Sequence, residues 1–265
     1  MLLDNEPLIR LTAFAGMFIL MAALEVWAPR RELQFGRLIR WPGNLSITLL
    51  NTLLLRIAFP IAAVEFALQM ENRAAGLLNS LELSAPLSIC TAVILLDLAI
   101  YTQHVVFHRI PVLWRIHRMH HTDNDVDVTT GARFHPIEIL LSMLIKLVVI
   151  TIIGAPAAAV LLFELILSSA ALFNHANFKL PTSFDQLIRT LLVTPDMHRI
   201  HHSTLTKEMN SNYGFNLSVW DRLFGTYVAK PEQGQTNMTL GLAATQTSEA
   251  QRTDKMLLEP LQKRQ

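Results

Sequence analysis

The sequence predicts an all-α, integral-membrane helical bundle of about four to five spans, including one hairpin, with a histidine-rich helical cap on the cytoplasmic side. Three observations predict it. Hydrophobic residues make up 51% of the 265-residue chain and charged residues only 16%, whereas a soluble domain carries about 25% charged residues. The apolar residues fall in stretches close to the ~20 residues a helix needs to cross a bilayer. All ten histidines lie between His104 and His202, and the arginines concentrate in alternate loops.

The first span runs from about Leu11 to Ala28 with Glu25 as its only charge. The preceding MLLDNEPLIR lacks the basic start of a secretory signal, so this segment is expected to stay in place. A second span covers about Asn44 to Val64, interrupted by Arg56 and Pro60, and a third covers about Ala85 to Phe107 with Asp97 inside it. Ile137 to Phe173 is too long for one span, and Gly154-Ala155-Pro156 divides it into a helical hairpin. Ser183 to Val193 reads as an interfacial helix with Leu187, Ile188, Leu191 and Leu192 on its apolar side. Three regions result: membrane spans over 1–84, a catalytic domain over 85–230, and a polar, loosely ordered tail over 231–265.

Charge orients the bundle. Arg30, Arg31, Arg37 and Arg40 follow the first span, and Arg109, Arg115, Arg118 and Arg133 follow the third. The loop after the second span has only Arg73 against Glu65, Glu71 and Glu82. By the positive-inside rule the amino terminus is outside and every histidine is cytoplasmic. The overall balance of +1 argues against nucleic acid as a partner. With Cys90 the single cysteine, no intramolecular disulfide and no zinc site built on paired cysteines can form.

The histidines come in four groups. His104 and His108 (HVVFH) lie one helical turn apart, and His117, His120 and His121 (HRMHH) have the i, i+3, i+4 spacing that gathers rings on one helix face. His175 stands alone in FNHANF, and His198, His201 and His202 (HRIHH) repeat the second pattern. A lone histidine is most often a core or surface residue; the repeated pattern on one side of a membrane is not so easily incidental. Imidazole is a common transition-metal ligand, one metal takes about four to six ligands, and nine converging rings therefore imply two metals. No HExxH or Glu-x-x-His motif is present. His135 is open between a tenth ligand, a donor to a ligand ring and a helix-start residue before Pro136, with the second role expected.

Metal-bound rings need acceptors for their other N–H, and Asp125, Asp127, Glu138 and Asp196 are the candidates, each equally readable as a solvated loop acid. Asp97 and Glu164, charged within spans, are either functional or paired with Arg56 or Lys146. Trp220, Asp221 and Arg222 are expected to lock the cap together. On residues alone, a divalent-metal transporter, a bis-histidine haem protein and a non-catalytic metal-binding protein are rivals to a metal-dependent enzyme.

HxxxH, HxxHH and a late HxxHH between hydrophobic hairpins resemble the fatty acid hydroxylase / sterol desaturase superfamily. So do DVDVTTGARFHPIE (Asp125–Glu138), FNHANF (Phe173–Phe178), and TPDMHRIHHS running to NYGFNLSVWDRLFGTY (Thr194–Tyr227). The resemblance covers roughly Leu87 to Lys230. It implies a non-haem di-iron centre that uses O2 to hydroxylate or desaturate a lipid, with His104, His108, His117, His120, His121, His175, His198, His201 and His202 as ligands. Some relatives carry HxxxH where this chain has Ala171 and His175, which implies a second metal short of one imidazole, completed by water, Asn174 or His135. FHPIE places the chain nearer the sterol-desaturase branch. No haem or flavin module is evident, so electrons are expected from a separate ferredoxin or cytochrome with its reductase.

Overall fold

The computed structural model describes residues 5–59 and 61–263. Nine helices organise the architecture: α1 (Glu6–Trp27), α2 (Arg37–Ala58), α3 (Ala63–Asn72), α4 (Ala85–Arg109), α5 (Pro111–His117), α6 (Pro136–Ile153), α7 (Ala157–His175), α8 (Thr182–Ile188) and α9 (Pro195–His201). Shorter turns complete the cap, and among the described residues β-structure is limited to isolated bridges such as Pro29–Phe178. Five stretches are long and apolar enough to cross a membrane, α2 and α3 counting together as one. Their outer faces show Leu11, Ile19, Leu49, Val148 and Ile152 more than half exposed, as expected of helices facing lipid rather than water.

The bundle core joins α3, α4, α6 and α7 through Ala63, Ala67, Ala92, Ala157 and Ala159, with Leu96, Ile150 and Phe163 filling between them. Small residues at these contacts let the helix backbones approach closely. The hairpin turn comes where expected: Gly154 ends α6 with φ +64° and packs on Gly76, where a Cβ would lie 2.2 Å from the Gly154 nitrogen. Beside it Glu71 Oε2 accepts from the Ala157 N–H at the start of α7.

The direction of every long helix follows from such contacts. At the other end of the bundle, Glu25 near the end of α1 accepts from Val128 N–H (2.7 Å) and Asn177 N–H (2.8 Å). The ends of α1, α4 and α7 and the starts of α2 and α6 thus meet at one end, and the histidines lie there.

Three expectations need correction. The second span, expected over Asn44–Val64 with an interruption, has wider bounds: α2 starts at Arg37, inside the cap, and stops at Ala58, and α3 runs from Ala63 to Asn72. Pro60 lies outside the described residues. The interfacial helix ends at Ile188 rather than Val193, although Leu187, Leu191 and Leu192 are exposed apolar side chains, as are Phe184, Leu223 and Phe224. The segment after Lys230 is not loosely ordered. Met256 packs with Ile47 and Met119, and Met238 and Leu240 pack with Val126; polar composition concealed a few well-placed apolar anchors.

Candidate metal centre

α4 carries His104 and His108 one turn apart near its end, their ring centroids separated by 5.1 Å. Pro111, which lacks an N–H to continue that helix, starts α5. The chain unwinds after His117, and His120–Thr122 form a separate 3₁₀ turn. The Thr194 hydroxyl caps α9, Pro195 occupies its first turn, and the helix presents His198 and His201, with His202 just beyond it. His175 closes α7.

All nine of these histidines converge, but as two groups rather than by motif. His104, His108, His117, His121 and His201 form one, and His120, His175, His198 and His202 the other; within each, nitrogens that could bind an ion lie within 4.8 Å of one another. Neither HxxHH motif keeps its rings on one face, which corrects the expectation from spacing. The i, i+4 pairs stay together, and the i+3 ring crosses to the other group. Neighbouring residues on a helix point about 100° apart, and the His120–His121 and His201–His202 rings stand at 90°. The two groups abut, with His121 stacked on His202 at 4.7 Å.

Hydrogen bonds set the tautomers. Nδ1 of His104 faces Tyr213 O (2.8 Å), that of His120 Arg133 O (3.0 Å), that of His175 Ala171 O (2.7 Å) and that of His201 Ser211 O (2.8 Å). A carbonyl only accepts, so each Nδ1 donates and leaves the Nε2 lone pair free. His117 Nδ1 likewise donates to Glu138 Oε1 at 2.7 Å. In the four-ring group Nε2 of His175 lies 3.1 Å from Nε2 of His120 and 3.0 Å from Nε2 of His198. Nε2 of His104, His117 and His201 and both nitrogens of His108, His121 and His202 are buried without a partner. Orphaned buried nitrogens are costly, and converging ones fit a bound metal ion. Burial holds the ring pKa of His120, His121, His198 and His202 well below the ordinary value, and nearby rings lower it further. Burial lowers that of His201 to about 3. Neutral rings are what a metal requires.

Of the four candidate acids only Glu138 touches a histidine. Asp125 accepts from the Gln34 and Phe35 N–H groups, Asp127 caps the turn at Val128, and Asp196 pairs with Arg30 and Arg199. His135 takes the helix-start role and belongs to neither histidine group. Its Nδ1 accepts from Ile137 N–H and its Nε2 faces Leu257 O at 3.2 Å. Asn174 donates its amide to Phe215 O. Glu164 pairs with Lys146, as one reading allowed, and also with Arg10. Asp97 takes the Trp220 indole N–H rather than Arg56, and Asp221 and Arg222 hold cap backbone, so this trio locks the cap as expected.

Several supporting residues carry no motif. Arg40 is fully buried and grips Asp123 through two nitrogens at 2.7 Å while reaching Asp127 at 2.7 Å. Burial pushes the Asp123 carboxyl up, but Arg40 and Arg133 outweigh it and hold it far below the usual range. Arg133, whose carbonyl orients His120, donates to Asn44 and to Gln251 of the tail. A Cβ on Gly131 would lie 2.4 Å from Ala171 O, the atom that orients His175. Acid–arginine partners far apart in sequence could have suggested the first two; nothing local announces the others.

The groups face a cavity of about 190 Å³ between α2, α4, α6 and α7. His104, His117, His120 and His198 line it together with Leu55, Ile100, Phe107, Met143 and Leu167. Such a site can hold metal against an apolar molecule.

The chain is 31% identical over 150 residues to ornithine lipid hydroxylase OlsE of Rhizobium tropici, covering 57% of this chain and 44% of that protein. It is 30% identical over 146 residues to alkylglycerol monooxygenase of Xenopus tropicalis (52% and 30%). With human cholesterol 25-hydroxylase it shares 23% over 141 residues (52% and 50%). The chain thus spans half or less of the length of these relatives. No solved structure matches it. Residues 89–226 match the family described as fatty acid hydroxylase, a segment that contains all nine converging histidines, and the chain belongs to that family.

Proposed function

We propose that this chain is a membrane-bound, non-haem di-iron oxygenase that hydroxylates or desaturates a lipid, with residues 85–230 as its catalytic part. One observation carries the reading: two buried groups of converging rings, five of the nine held by a hydrogen bond at Nδ1, lie at the end of an apolar cavity among membrane helices. His104, His108, His117, His121 and His201 would hold one iron, and His120, His175, His198 and His202 the other. Bound there, iron supplies the O2-dependent oxidation of an unactivated C–H bond that side chains cannot perform. The protein's part is to keep the rings neutral and oriented, exclude water, and lay an acyl, sterol or ether-lipid chain along Ile100, Phe107 and Leu167. Two electrons and two protons are needed per O2, and a separate ferredoxin or cytochrome with its reductase is the proposed donor. The arginine-rich ends of the helices support a cytoplasmic position for the histidine end. A transporter would need ligands along a path near the midplane, whereas these gather at one end.

The test is metal analysis of the purified protein with lipid profiling of a deletion strain against its parent. Close to two irons per chain and loss of one oxidised lipid are expected; a metal-free active protein overturns the reading. Cysteines placed at Glu82 and Glu249 in a Cys90→Ser background check orientation, since an impermeant thiol reagent added outside should label only the first.

A further inference from the structure

The cavity wall is not uniformly apolar. α6 presents Glu138, Ser142 and Lys146 to it at intervals of four residues, one stripe along a helix face. Two of the three are already engaged, Glu138 with His117 and Lys146 with Glu164, whose other oxygen takes Arg10. Ser142 meets Gln103 of α4, with Gln103 Nε2 2.8 Å from the serine oxygen. Gln103 Oε1 is buried and accepts nothing from the protein, and the Ser142 hydroxyl hydrogen goes to no acceptor among the described residues. If the amide is turned over, the serine donates and the amide N–H becomes the open group instead. In either orientation the pair, which lines the cavity, keeps at least one unused donor and one unused acceptor. A buried acceptor left open costs free energy, and a ligand group bonded to it removes that cost.

Chemistry narrows the ligand. A group that both donates and accepts satisfies the pair: a hydroxyl or a secondary amide. A carboxylate only accepts, would sit near Glu138 and Glu164, and finds Lys146 already neutralised by Glu164. Position narrows the reaction. Gln103 directly precedes His104, and Ser142 lies one helical turn, ~6 Å, beyond Glu138.

We propose that Gln103 and Ser142 form a seat for a neutral hydroxyl or amide of the lipid, which selects a carbon only a few bonds from that group for oxidation. This rests on the lipid-oxidising reading above and names the substrate class for the same cavity.

Saturation binding of tritiated hexadecanol and tritiated hexadecane to the iron-loaded protein, in the same detergent micelles, tests the seat without requiring turnover. The wild type should bind the alcohol about tenfold more tightly than the alkane, a ratio typical of a net hydrogen bond. Gln103→Leu should bring the two to parity with iron content unchanged. Ser142→Ala should reduce the ratio in the same way, and it decides the matter if Gln103→Leu does not fold. Equal binding of both ligands by the wild type, or a preference that survives Ser142→Ala, overturns the proposal. Selective binding without oxidation of any lipid would leave the seat standing and remove the oxygenase reading; oxidation without selectivity would do the reverse.

Discussion

Glu138 Oε1 lies 2.7 Å from His117 Nδ1, joining the first turn of α6 to the last residue of α5. The carboxylate accepts a hydrogen bond from the Nδ1–H and so leaves the lone pair on Nε2, which is buried and unpartnered, directed within the five-ring group. Glu138→Ala should weaken metal retention at that group by about 10–100-fold, the usual cost of losing such a partner. Glu138→Gln keeps an acceptor oxygen and should lose less. Iron content after dialysis against a graded chelator measures both, and equal retention by the wild type and the alanine variant would deny Glu138 this role.

The rings divide by position rather than by motif, so single substitutions should remove one metal at a time. His121→Ala and His202→Ala alter neighbouring rings in different groups. Each variant is expected to keep about one of two irons, and different spectroscopic features should remain in the two. Loss of both irons from each would mean that the groups are not separable.

The tail matters to the centre through Gln251, which accepts from Arg133 Nη1 at 2.6 Å and donates to Asn124 Oδ1 at 2.7 Å. Removal of 231–265 would also take away Glu259 from Arg118 and Met256 from the cluster with Met119. Gln251→Ala should cost about 1–3 kcal/mol, the range for leaving a buried donor unpaired, and truncation after Lys230 should cost more. Thermal unfolding in detergent reads the difference. A truncated chain that melts like the intact one would return this segment to the status of a loose tail.

Acid should destabilise the iron-free protein from about pH 6.5 downward. Burial keeps His120, His121, His198, His201 and His202 less basic than in the unfolded chain. Below the ordinary histidine value of about 6.5 the unfolded state therefore binds more protons. Stability is fully present above that pH and is lost as pH falls, by up to ~1.4 kcal/mol per pH unit for each such ring. The melting temperature of chelator-treated protein should drop steadily from pH 7 to pH 5. A flat profile would mean that the rings are accessible to protons in the folded state.

The sequence by itself determined the class of protein and the identity of its chemistry-bearing residues. Long apolar stretches can satisfy their backbone in a bilayer only as helices, and Gly154 marks the hairpin because the turn there needs positive φ. Eight of the nine histidines could be named because i, i+3 and i, i+4 spacings are a local property of a helix, and the lone His175 through the family resemblance. Tertiary structure decided how those rings are shared. Adjacent residues leave a helix about 100° apart, and what each ring then meets puts His120 and His121, and likewise His201 and His202, in different groups. It also decided that His135 caps α6, that Glu138 rather than Asp125, Asp127 or Asp196 serves a ring, and that Gln251 supports the centre from the tail. The last two roles depend on which side chains meet from separate elements, 21 residues apart for Glu138 and His117 and 118 for Gln251 and Arg133. Spacing reports the direction in which a side chain leaves its own helix; only packing supplies what it meets.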